Sequence, residues 1–67
     1  MEVTITLNGD QRRVPAGSVG ELLSHLGLQP GMVVVELNRE IVGREALDRT
    51  EVREGDQMEL VHFVGGG

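Results

Sequence analysis

The residues with the clearest chemical potential close the chain: Gly65-Gly66-Gly67, directly after Val61-His62-Phe63-Val64. At ordinary glycine usage a chain ends in three glycines by chance about once in 3,000, so the run asks for a reason. Glycine lets the backbone adopt nearly any φ/ψ and lets an extended main chain enter a channel too narrow for a Cβ. The group such a tail delivers is the α-carboxylate of Gly67. A carboxylate is a poor electrophile at neutral pH. Joined to a nucleotide phosphate it becomes a mixed anhydride with a good leaving group. A sulfur nucleophile that displaces AMP then leaves a terminal thiocarboxylate. The competing reading is a frayed, inert terminus, which is common in small domains.

Other chemistry finds little footing. There is no cysteine, hence no disulfide framework, thiolate metal site or cysteine nucleophile. Lysine is absent, so no side-chain amine can accept an acyl group. His25 and His62 have no metal-ligand spacing with the carboxylates. Ser18 reads as a helix cap, and Gly17 and Gly20 precede a helix without the lysine of a phosphate loop. Glu36/Glu40 and Glu45/Asp48 read as solvated faces. An independent active site is not expected.

Sixty-seven residues make one small domain. The net charge of −5, with six scattered arginines, excludes the basic stripe of a nucleic-acid binder. It suits a basic protein partner. Phe63 is the lone aromatic, which argues against base stacking. No apolar run approaches a membrane span, and Met1-Glu2-Val3 lacks the basic start of a secretory signal. The expected setting is cytoplasmic, with no membrane and no nucleic acid.

The elements that must position the tail follow from periodicity. Val3, Ile5 and Leu7 alternate with Glu2, Thr4 and Thr6, as in a half-buried strand. Asn8-Gly9 is a hairpin signal, and Asp10 to Val14 is a polar return strand ended by Pro15. Ser18 and Glu21 form a capping box before the stripe Val19, Leu22, Leu23, Leu26. Gly27 and Leu28 fit a Schellman stop. Met32 to Leu37 reads as a strand, Asn38-Arg39-Glu40 as a turn, and Ile41-Val42 as a short strand. Arg44 to Asp48 makes a turn of helix, and Val52 is an isolated core anchor. Glu54-Gly55-Asp56 turns into a last strand from Gln57 to Val64.

The order implies an α+β domain over residues 1–64, with one helix on one sheet face and a glycine tail over 65–67. A last strand lying parallel beside the first would be central and apolar on both faces. Met58 and Leu60 then face the helix, and Val61 and Phe63 face away as a candidate docking patch. The alternative places Phe63 in the core. His62 shares the parity of Met58 and is expected to be satisfied or half exposed.

Leu7-Asn8-Gly9, Val19-x-x-Leu22-Leu23, Val35-Glu36-Leu37-Asn38, Gly55-Asp56-x-Met58-Glu59-Leu60 and the glycine end resemble, in that order, the ubiquitin-like β-grasp sulfur carriers of the ThiS type. The resemblance spans the whole chain. It implies a mixed four- to five-stranded sheet, one main helix and a flexible tail. It also implies that the carrier is not itself an enzyme and holds no cofactor. An E1-like adenylating enzyme, using ATP and Mg²⁺, would activate Gly67 while Gly65 and Gly66 thread its active site. A cysteine desulfurase or other relay would supply sulfur, and a thiazole synthase of thiamin synthesis would accept it. The family's end is a diglycine, so Gly66 is the acceptor if one residue is removed. The small subunit of molybdopterin synthase, a tRNA-thiolation carrier, a protein modifier and a plain interaction module are the alternatives.

Overall fold

The computed structural model of the chain describes residues 1–63. Val64, Gly65, Gly66 and Gly67 lie outside the described residues, and so does the expected boundary between domain and tail.

The alternating segment forms strand β1 (Glu2–Leu7), which turns at Asn8-Gly9 into β2 (Asp10–Pro15). Asn8 and Gly9 both have positive φ, at 49° and 87°. That left-handed pair matches the right-handed twist of the strands it joins. Pro15 is the last residue of β2, paired with Glu2 at the sheet edge where a missing N–H costs nothing.

A two-residue strand β3 (Gly17–Ser18) leads into helix α1 (Val19–His25). The capping box forms as expected. Glu21 N–H donates to Ser18 Oγ at 3.1 Å, and Ser18 N–H donates to Glu21 Oε1 at 2.8 Å. At the other end Gly27 has φ +76°, Leu28 N–H donates to Leu23 O at 2.9 Å, and Gly27 N–H donates to Ser24 O at 3.0 Å. These are the two bonds of a Schellman stop.

A 3-10 turn at Pro30–Met32 feeds β4 (Val33–Leu37), so the strand starts one residue later than the β-branched run suggests. Proline's fixed φ favours the turn. Asn38 and Arg39, at φ 52° and 72°, reverse the chain into β5 (Glu40–Val42). A second 3-10 turn covers Arg44–Ala46. Val52 is buried as expected, but it is not isolated: β6 (Glu51–Val52) pairs antiparallel with β3. Two residues are too few to show a period, which is why this second sheet is invisible in the sequence. β7 (Gln57–His62) is the last strand and stops two residues before Val64.

The main sheet runs β2-β1-β7-β4-β5, with β7 parallel to β1 and antiparallel to β4. This five-stranded mixed sheet, gripping one helix, is the ubiquitin-like β-grasp. The core sits between sheet and helix. Ile5, Val14, Val35 and Met58 meet Val19 and Leu23 there, each 2% exposed or less. β7 is central, yet it is apolar on one face only. Among the described residues a single α-helix is available and the other face stays open, with Gln57, Glu59 and Val61 exposed on it.

Candidate functional site

β7 is the strand that carries the tail, and two asparagines clamp it. Antiparallel bonding alternates, so residues 57, 59, 61 and 63 turn their backbone groups toward β4 and 58, 60 and 62 toward β1. On the β4 side Asn38 N–H donates to Gln57 O at 2.7 Å and Gln57 N–H donates to Asn38 Oδ1 at 3.0 Å. On the β1 side Asn8 N–H donates to Met58 O at 2.9 Å. There the Asn8 side chain then acts as one more strand residue. Its Oδ1 accepts from Leu60 N–H at 2.8 Å and its Nδ2 donates to Leu60 O at 3.3 Å. Each asparagine is thus fixed twice, by the left-handed turn it makes and by the strand it holds. The sequence marked Asn8 and Asn38 as turn residues only.

Past Leu60, β7 outruns the β1–β2 hairpin. β4 still pairs with it at Val61 and His62, and Phe63 N–H donates to Met32 O at 2.9 Å. The last described residue is therefore held on one side by the backbone that follows the Pro30–Met32 turn. His62 is exposed. Among the described residues there is no cluster of three or more His, Asp or Glu able to hold a metal.

The face opposite the helix gathers the candidate docking residues. Val61 is 58% exposed and Phe63 51%, so Phe63 stands outside the core. Directly opposed residues share a face. Val34 lies across from Val61, Glu36 from Glu59, and Ile41 from Glu36. Ile41 is 73% exposed, and Met32 beside Phe63 is 37% exposed. The sequence singled out Val61 and Phe63 but missed Met32, Val34 and Ile41. Their parity was readable, but the strands beside which they lie were not.

The helix N-terminus offers no competing site. Val19 N–H donates to Thr50 O at 2.8 Å and Gly20 N–H to Leu47 O at 3.0 Å, while Ser18 takes Glu21 N–H. Gly20 lets that loop approach: a Cβ there would strike the Asp48 carboxylate. The first N–H groups, which a phosphate would need, are already used by the chain. Among the described residues no helix is long and apolar enough to cross a membrane.

Comparison with known proteins agrees with this architecture. The model of the ThiS family matches residues 5–67, through the terminal glycines. The sulfur carrier protein ThiS of Bacillus subtilis is 43% identical over 51 residues, covering 76% of this chain and 77% of that one. A thiazole synthase of Magnetococcus marinus is 44% identical over 64 residues, covering 94% of this chain; the chain spans only 20% of that longer protein. The crystal structure of the thiamine biosynthesis protein ThiS from Geobacter metallireducens superposes with a TM-score of 0.82 at 43% identity. It covers 97% of this chain and 100% of that one. The chain belongs to the ThiS family, the family of the thiamin-pathway sulfur carriers.

Proposed function

We propose that the chain carries sulfur to a thiazole synthase as a thiocarboxylate on Gly67. One observation carries the reading. The family match runs through Gly67, and the glycines follow almost at once on a strand clamped by Asn8 and Asn38. A rigid strand fixes where the tail begins. From Phe63, four residues reach at most about 14 Å, enough to place a carboxylate inside a partner's active site while the domain stays outside.

A carboxylate oxygen of Gly67 attacks the α-phosphate of ATP in an E1-like enzyme with Mg²⁺, and pyrophosphate leaves. A sulfur nucleophile attacks the acyl carbon, AMP leaves, and the carbonyl holds sulfur in place of one oxygen. Sulfide gives the thiocarboxylate directly; where a cysteine desulfurase relay is the source, its persulfide displaces AMP to form an acyl disulfide, and a thiol reductant cleaves the S–S bond, leaving the thiocarboxylate on Gly67 and the relay sulfur in a disulfide with that thiol. Gly65 and Gly66 thread the channel, and Val61 and Phe63 form part of the surface resting against its rim. The chain contributes an acyl group and its positioning, and its partners contribute the catalysis.

The test is exact intact mass after incubation with the host's adenylating enzyme, ATP and sulfide. Fragmentation must place the change, because oxidation of Met1, Met32 or Met58 adds nearly the same nominal mass. The expected result is one sulfur-for-oxygen exchange on the last glycine. It should vanish when Gly66 and Gly67 are deleted, with the far-UV spectrum and melting temperature unchanged. Sulfur on the truncated chain would refute the mechanism.

A further inference from the structure

We propose that the β7–β4–β5 half of the open sheet face docks the thiazole synthase, through a basic side chain set among apolar ones on that enzyme. The partner's identity rests on the carrier reading above; the surface itself does not.

The register places two carboxylates side by side, and among the described residues no cation forms an ion pair within 4.0 Å with either. Glu36 and Glu59 are cross-strand partners on the open face. Like charges directly opposed destabilise a sheet. Among the described residues the only ion pair within 4.0 Å joins Arg13 and Glu2, on the far side of the face. Arg39 lines a groove with Glu36 and Glu59 but bonds to neither.

That groove holds about 290 Å³, between the carboxylates and Thr6 and Gln57. It is at the lower limit of small-molecule sites and has room for one long side chain. Immediately beside it the face turns apolar, with Ile41, Val34, Val61 and then Phe63 leading to the tail. An exposed apolar strip next to a carboxylate pair that makes no ion pair within 4.0 Å among the described residues fits a guanidinium or ammonium flanked by apolar residues.

Two further observations select the occupant. The strip lies on and beside the strand that residues 64–67 follow in the sequence, so an enzyme that receives the carboxylate is brought close to it. In the Magnetococcus marinus thiazole synthase, a region like this whole chain shares one polypeptide with the rest of the enzyme. A tether supplies high effective concentration. Where carrier and synthase are separate chains, a surface must supply the affinity instead.

The experiment measures affinity of the full-length chain, carrying no sulfur, for the host's thiazole synthase at low and high salt. Unaltered chain is compared with the Glu36→Gln/Glu59→Gln double variant. The expected result is about tenfold weaker binding at low salt and a flatter salt dependence. The free variant should melt about 1–5 °C higher, because the opposed charges are gone.

Unchanged affinity, or no binding by the unaltered chain, overturns the proposal. A lower melting temperature overturns it too, since the pair would then be structural and balanced by Arg39. A loss seen only with the adenylating enzyme assigns the face to that partner instead. Sulfur transfer to Gly67 with charge-independent docking would leave the carrier reading standing and sink this one. Charge-dependent docking without sulfur transfer would do the reverse.

Discussion

The open face of the sheet has two halves of different character. On the β1–β2 side the chain answers its own polar groups. Arg13 Nε reaches Glu2 Oε1 at 3.2 Å, and Thr4 N–H donates to Glu54 Oε1 at 2.9 Å. On the β7–β4–β5 side Glu36 faces Glu59, and Ile41, Val61 and Phe63 stand exposed. The two halves share one backbone scaffold and the same absence of a covering helix. Openness is common to both halves, so it does not by itself distinguish the proposed docking surface. What distinguishes the proposed surface is its exposed apolar side chains and a carboxylate pair with no ion pair within 4.0 Å among the described residues, on and beside the strand that leads to the tail.

The same strand supplies the sharpest way to break this comparison. Met58 and Phe63 lie on β7 or directly beyond it, one buried at 1% and the other 51% exposed. Met58→Ala should cost about 2–5 kcal/mol of stability, seen in a denaturant midpoint. For so small a domain that is much of the total. A loss below about 1 kcal/mol would mean that the helix-side core is looser than its burial implies.

Phe63→Ala should leave the melting temperature within a few degrees and weaken partner binding by about 1–2 kcal/mol in a titration. A large fall in melting temperature with unchanged binding would move Phe63 from the partner surface to the fold. The smallest effect belongs to the satisfied half. Arg13→Ala removes an exposed ion pair and should change stability by less than about 0.5 kcal/mol. Partner affinity should not move. Any loss of affinity comparable to that of Phe63→Ala would erase the distinction between the halves.

Much of this was legible residue by residue. Ser18, Glu21, Gly27 and Leu28 announced both ends of the helix because capping is local: each bond spans three to five residues. Asn8-Gly9 announced its hairpin for the same reason. The glycine end stood out from composition. The pairing of β3 with β6 was not legible, since residues 17–18 and 51–52 are each too short for a pattern and meet only when the chain closes. The expectation of a doubly apolar β7 failed on the same ground. Centrality in the sheet was inferable, but which faces are covered depends on how many helices the whole chain supplies.

The amino-acid sequence by itself determined the kind of domain, the helix and the turns. Those follow from short-range sterics, capping and the 2.0 and 3.6 residue periods. Only the tertiary structure decided that Asn8 holds Leu60 across 52 residues, that Glu59 faces Glu36, and that the apolar strip lies on the open side. Register is a long-range property. It is set where β7 settles between β1 and β4, and a shift of one residue would carry every side chain to the other face.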